Sequence, residues 1–252
     1  MNKVILSVGS DDNYLDNPHL QNYFKSISLN SNFDRNILVY MGHTTPQLQY
    51  ENIDVFNVKP ESVVKMNYNH CLQHGEFLNT DRFNEFSDSD VIVFTDGDMT
   101  LQRKLTEEEM IFYRNLKDDD VYVGYNQSPI DTLKNEYFRL RPIDHNMTNH
   151  FKEDLETIKV YNTGVVGMNK KTWSKLKNLY IENFHLVENL FGHYAKQQWL
   201  ISYIIGTKGF NIIEMGYDIH NHTHYPSPQG TTNEGGLIKY NDKVVLFKHR
   251  WF

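Results

Sequence analysis

Asp96 and Asp98 stand one residue apart at the end of an apolar run, VIVFTDGDM over residues 91–99. Like charges this close repel, and burying them unpaired is costly; a divalent cation with oxygen ligands removes both penalties. In extended chain alternate residues share a face, so the two carboxylates would converge while Gly97 points the other way. Gly97 lacks a Cβ, which leaves room for a bulky anion near the backbone. Mg²⁺ or Mn²⁺ takes one or two carboxylates and completes its shell with water and substrate phosphates. The occupant these residues suit is a metal-chelated diphosphate.

Three other readings compete. Asp-Gly is a common surface-turn signal, opposed here by the VIVF that precedes it. Counted from Asp96, an EF-hand loop would place Asp98 at its third position and Glu107 at its twelfth, but Leu101 falls at the sixth, where glycine is needed, and a strand rather than a helix comes first. A sugar-phosphate nucleotidyltransferase would carry a Gly-rich, Arg-containing loop after its first strand, and SVGSDDNYL has neither feature.

The elements that must position these residues can be read from periodicity. Short, mostly β-branched apolar runs at residues 4–8, 37–40, 91–94, 121–123 and 165–168 predict buried strands. TEEEMIFYRNLK opens with a capping box, Thr106 and Glu109, and predicts a helix. Further helices are expected over residues 172–184 and from residue 193 to a stop at Gly206 or Gly209. Beyond Gly216 the chain reads as irregular until a closing strand, KVVLFKHRWF. Alternating strands and helices predict an α/β fold with a mainly parallel sheet, whose crevice lies at the carboxyl ends of the strands, where Asp96 and Asp98 sit.

Composition narrows the classes. A chain of 252 residues is enough for one sizeable core, so a single domain over residues 1–252 is expected. Hydrophobic residues at 39% argue against a disordered chain, and a net charge of −7 without a basic run disfavours nucleic acid as a partner. With one cysteine, Cys71, and no signal-peptide pattern, a cytoplasmic location is expected, so that the sequons at Asn146 and Asn221 are chance. No apolar run approaches the ~20 residues of a membrane span.

With these residues placed, the sequence resembles the metal-dependent glycosyltransferases of the GT-A fold, in particular the retaining family that includes glycogenin and the bacterial lipopolysaccharide galactosyltransferases. Four stretches in family order carry the match: SVGSDDNYLDNPHLQNYFKSISLN, VIVFTDGDM, VYNTGVVGMN and VVLFKHR. The resemblance implies a nucleotide-sugar donor, a UDP-sugar, and a hydroxyl-bearing acceptor, with Mn²⁺ (or Mg²⁺) as cofactor. It implies that Asp11, Asp12, Asn13 and Tyr14 hold the uridine, with Ser7 and Gly9 in the same segment. Asp96 would touch metal and ribose and Asp98 metal, with Gly97 beside the diphosphate. Asn162, Thr163 and Gly164 would lie beside the sugar or acceptor, and His249 would complete the metal site. Residues 1–100 would form the nucleotide-sugar half and residues 101–252 the acceptor side with the closing metal-site strand.

The departures from the family pattern also have consequences. Where the family has Asp-Gln before an apolar helix, this chain has Gln197 and Gln198, so the carboxylate is missing and Gln198 is the catalytic candidate that remains. The closing strand lacks the family's Gly and Lys-Pro-Trp residues, which leaves Lys248, Arg250 and Trp251 as diphosphate partners. Arg82, with Lys65 as the alternative, stands for the family's arginine ahead of the aspartates. A retaining reaction needs no carboxylate nucleophile here; an inverting one would need a base, for which Asp131, Asp144 and Glu188 are the candidates. Tyr137, Arg139 and Arg141 are candidates for the acceptor site. His220, His222 and His224 could imitate a zinc site, but read more simply as a histidine-rich polar loop. Two alternatives stay open: a non-catalytic carbohydrate- or divalent-ion-binding module, and a glycosyltransferase acting on modified DNA.

Overall fold

The β-branched runs form the interior of a seven-stranded sheet in the computed structural model, which describes residues 1–42, 44–57, 84–124, 132–135, 155–187, 193–222 and 228–249. Its strands are β1 (Val4–Asp11), β2 (Arg35–Met41), β3 (Asp54–Asn57), β4 (Val91–Thr95), β6 (Asp120–Gly124), β7 (Asn162–Asn169) and β8 (Asn211–Met215), in spatial order β3-β2-β1-β4-β7-β6-β8. Only β7 runs against its neighbours, so the sheet is mainly parallel as expected.

Both faces of the sheet are covered, and alternate residues of each strand divide between two cores. Ile5, Ile37, Val39, Ile92, Phe94, Val121 and Val166 pack against Trp173, Leu176 and Tyr180 of α3 (Lys170–Asn183) and Trp199, Leu200 and Ile204 of α4 (His193–Thr207). Val4, Leu6, Val8, Leu38, Val91 and Val93 pack against Leu20, Tyr23, Phe24 and Ile27 of α1 (Pro18–Asn30) and Met110 and Tyr113 of α2 (Glu107–Arg114). This two-sided burial is why the central strands read as unbroken apolar runs.

The helix signals act as read. Thr106 Oγ1 accepts from the Glu109 backbone and the Glu109 carboxylate accepts from the Thr106 backbone, which completes the capping box. Helix α4 ends at Thr207, just before Gly209 at φ +73°. Helix α1, not among the expected helices, carries its own signal: Asn17 caps it by accepting from His19 N, and Pro18 occupies its first turn. Among the described residues no helix is long and apolar enough to cross a membrane.

Past Gly216 the chain is more ordered than expected. Two small three-stranded sheets form, β10-β11-β12 and β5-β13-β9, from β5 (Met99–Leu101), β9 (His220–His222), β10 (Thr231–Glu234), β11 (Leu237–Tyr240), β12 (Lys243–Val244) and β13 (Phe247–His249). The overlooked cue is Gly235-Gly236, a two-residue hairpin turn whose φ values of +61° and +94° suit glycine. The closing strand is broken rather than continuous. Val245, Leu246 and Phe247 are all fully buried, which a strand with one covered face cannot achieve, and the chain bends there from the hairpin sheet into the sheet that holds β5. Asn221 is buried at the same place, inside the fold and away from any glycan-accepting surface.

Arg103 ties this region together. Its guanidinium bonds both carboxylate oxygens of Glu109 at 2.7 Å and donates to the carbonyls of Val244 at 2.7 Å and Asp218 at 3.4 Å. Burial raises the Glu109 pKa, but bonds from Arg103 and from the Thr106 backbone outweigh it and hold the carboxyl below its ordinary 4.5. A depressed folded-state value stabilises above the unfolded one, so this contribution is present at pH 7 and is lost as pH falls below 4.5. Arg103→Met, which leaves a partly buried carboxylate unpaired, is expected to cost about 2 kcal/mol in urea unfolding at pH 7. That cost should shrink on acidification to pH 4; a loss independent of pH would contradict the charge pairing.

Candidate metal and active site

Strand β4 ends at Thr95, whose Oγ1 lies 2.7 Å from Tyr23 Oη and donates to Ser7 O at 3.2 Å, tying α1, β1 and β4 together behind the aspartates. Asp96 N donates to Gly164 O at 2.9 Å, so the ladder to β7 holds one residue past the strand. Gly97 and Asp98 then form a turn and the chain enters β5. Asp96 to Asp98 are therefore not extended, as strand alternation assumed: the surface-turn reading and the metal reading describe the same residues.

Strand pairing, not sequence proximity, brings in the third group. Strand β13 runs antiparallel to β5 with His249 opposite Met99, the residue after Asp98. His249 Nε2 lies 3.3 Å from Asp98 Oδ1 and 4.0 Å from Asp96 Oδ2, and one donor atom from each of the three residues lies within 4.8 Å of the others. An octahedral ion bound at ~2.1 Å places neighbouring ligand atoms ~3.0 Å apart and opposite ones ~4.2 Å apart, so the 3.3 and 4.0 Å separations from His249 suit one divalent cation. The two carboxylates are just under a third exposed and the imidazole side chain 10%, which leaves one side of the cluster open to a further ligand.

Two glycines are required by contact at this place. A Cβ on Gly164 would lie 2.7 Å from His249 Cε1 and 2.9 Å from its Nδ1. A Cβ on Gly97 would lie 2.8 Å from the Tyr14 ring, so the space left by that missing side chain is filled by Tyr14 rather than kept open for an anion. Tyr14 thereby packs directly on the Asp-Gly-Asp turn.

The remaining expected residues fall into three groups. Ser7, Gly9 and Asp11 lie in β1, whose carboxyl end abuts the turn that carries Asp12, Asn13 and Tyr14. Asp11 Oδ1 accepts from the backbone of Asn13 and Tyr14 and shapes that turn, while Asp12 accepts from Tyr40 Oη. Tyr40, on β2, was not foreseen as a site residue; the signal would have been its position at the carboxyl end of the strand beside β1. Burial, with the bond to Asp12 next, pushes the Tyr40 phenol up to about 12, so it stays protonated and donates to the carboxylate. Asn162 and Thr163 begin β7, where Asn162 Oδ1 accepts from Gly164 N at 2.9 Å.

On α4, Gln197 is buried and Gln198 partly buried, and the Gln198 carbonyl accepts from Ser202 Oγ. Lys248 lies on the opposite face of β13 from His249, with Nζ donating to Gly236 O at 3.2 Å. The positions given to Cys71, Arg82, Lys65, Arg250, Trp251, Tyr137, Arg139, Arg141, Asp131, Asp144, Glu188, Asn146 and His224 lie outside the described residues. His220 and His222 belong to strand β9 rather than to a loop. His220 is buried with Nε2 3.3 Å from His249 Nδ1. Burial, and after it the neighbouring His249, hold its pKa well below the usual imidazole value, so it is neutral at pH 7.

The sheet order and the site at the carboxyl end of β4 define a GT-A-type α/β fold. No protein-family model matches the chain, and no curated protein matches it. Among solved structures it is similar to the crystal structure of galactosyltransferase LgtC in complex with donor and acceptor sugar analogues, with a TM-score of 0.58 and 15% identity over 98% of this chain and 87% of that one. The structure of an active-site mutant of LgtC is similar to the same degree, with a TM-score of 0.58, 14% identity and the same coverage. The chain shares the LgtC fold over nearly its whole length.

Proposed function

We propose that this protein is a metal-dependent glycosyltransferase that moves a sugar from a UDP-sugar to a hydroxyl-bearing acceptor with retention of configuration. The observation that carries the proposal is the convergence of Asp96, Asp98 and His249 at the carboxyl end of β4, in a fold shared with a galactosyltransferase. Two carboxylates with one imidazole suit Mn²⁺ better than Mg²⁺, because imidazole is a ligand of the transition metals while Mg²⁺ favours oxygen. When bound, the cation neutralises the charge that develops on the diphosphate as the sugar leaves.

The residues of the chain have separate parts in this scheme. Asp96, Asp98 and His249 hold the cation, with Asp96 also reaching the ribose. Asp12, kept in place by Tyr40, and Tyr14, packed on Gly97, take the uridine together with Asp11, Asn13 and Gly9, while Ser7, fully buried behind the aspartates, supports them from β1. Arg82 is assigned to the diphosphate, and Asn162, Thr163, Gly164 and Gln198 to the transferred sugar and acceptor; Lys248, on the face of β13 opposite His249 and bonded to Gly236 O, has no part in it. The bond between the anomeric carbon and the diphosphate oxygen breaks with its electron pair on that oxygen. The acceptor hydroxyl forms the new bond on the same face, and its proton passes to the diphosphate oxygen. No carboxylate nucleophile is needed, in keeping with Gln197 where a carboxylate would otherwise stand.

Melting curves with Mn²⁺ alone and with Mn²⁺ plus UDP test the proposal. At UDP a hundredfold above its Kd, binding to the folded state adds about 2.7 kcal/mol, or roughly 5–10 °C in a chain of this size. Release of UDP from a UDP-sugar should follow the same metal dependence. An ion-binding module would melt higher with Mn²⁺ and show no further change with UDP, and that outcome would sink the enzyme reading.

A further inference from the structure

Behind His249 stands a second imidazole that the metal trio and the donor-binding residues do not use. His220 is buried at 3% exposure, and its Nε2 faces His249 Nδ1 at 3.3 Å, with the rings 29° from parallel. The placement is built by the backbone: β9 pairs in parallel with β13, Phe247 opposite His220 and His249 opposite His222. Space for the pair is kept by two glycines. A Cβ on Gly124 would stand 2.4 Å from His220 Nδ1, and one on Gly164 would strike the ring of His249.

Proton counting gives this contact a direction. A neutral imidazole carries one N–H, so a ring that offers its Nε2 lone pair to a cation carries its proton on Nδ1. Buried there, that N–H needs an acceptor, and His220 Nε2 lies within reach; it accepts when His220 carries its own proton on Nδ1. The opposite tautomer of His249 would aim an N–H at the cation and could not ligate it. Partners of this kind, which fix the tautomer and tilt of a ligating histidine, typically change metal affinity 10- to 100-fold when removed.

We propose that His220 is a positioning residue that accepts the Nδ1–H of His249 and thereby holds its Nε2 toward the divalent cation. The proposal rests on the metal-site reading above. It is tested on the full chain by titrating Mn²⁺ against wild type, His220→Gln and His220→Leu and following free Mn²⁺ by EPR, with metal-free melting curves to show that each variant is folded. Glutamine keeps an acceptor oxygen and leucine does not. His220→Leu is expected to bind Mn²⁺ 10- to 100-fold more weakly and His220→Gln to stay within about threefold of wild type. A folded leucine variant with wild-type affinity, or a glutamine variant as weak as leucine, overturns the role of His220. A wild type that binds no Mn²⁺ overturns the metal site itself and this role with it. A measurement on the wild type alone does not depend on the variants folding: ¹⁵N-histidine NMR with Mg²⁺ bound should show His249 as the Nδ1–H tautomer, and an Nε2–H signal there overturns the proposal.

Discussion

Asp98→Asn is expected to lower kcat/KM for metal-dependent transfer by about a thousandfold or more, which is about 4 kcal/mol of transition-state stabilisation. Asparagine keeps the size of the side chain and one carbonyl oxygen, but it removes a negative charge from a site that must hold a doubly charged ion. The substitution should leave the fold intact. Asp98 sits in a turn with its side chain 29% exposed, 3.3 Å from His249, and loss of its charge relieves repulsion with Asp96 when no ion is bound. Metal-free melting should therefore match or slightly exceed wild type while UDP release with Mn²⁺ collapses. Full activity in a folded Asp98→Asn protein would remove the central assignment.

Gly164→Ala is the second large effect, and only the tertiary contacts predict it. The new methyl would meet His249 Cε1 at 2.7 Å, Met99 Cε at 2.8 Å and His249 Nδ1 at 2.9 Å. The end of the methionine is flexible and can move aside. The imidazole cannot easily do so, because His220 stands 3.3 Å behind its Nδ1 and β13 is paired on both edges. Overpacking of this kind typically costs 1–3 kcal/mol, and the part of the ring that must shift belongs to a metal ligand. We expect a loss of about 2 kcal/mol in urea unfolding and at least a tenfold weaker affinity for Mn²⁺ by EPR titration. Unchanged Mn²⁺ affinity in the alanine variant would show that His249 does not need its present place to bind the ion.

The contrast between these two residues marks how much of the site was legible in the sequence. The aspartates announced themselves because charge at the end of an apolar strand is locally anomalous and needs no partner to be noticed. Gly164 stood in a motif, but its reason did not: the group it makes room for arrives from the far end of the chain. The same holds for Gly97, whose missing Cβ was read as space for an anion and is filled by the ring of Tyr14. His220 was seen as one of three alternate histidines, and its depth could not be, because burial there is set by the pairing of β9 with β13.

The fold divides along the same line. Strands β1, β2, β4, β6 and β7 were readable because both their faces are covered, which forces continuous apolar runs. The edge strands β3 and β8 are covered only in part and mix polar with apolar residues, so local patterning did not separate them from loops. The helix between Thr106 and Asn115 was marked by its capping box, since capping acts within four residues. What the sequence alone determined were the features whose physics is local: periodicity, caps, and an acidic pair too close to stand without a counter-charge. The resemblance pointed to His249, but the tertiary structure decided how it meets that pair and that His220 stands behind it, because β5, β13 and β9 find their register through backbone hydrogen bonds that carry no signature in side-chain order.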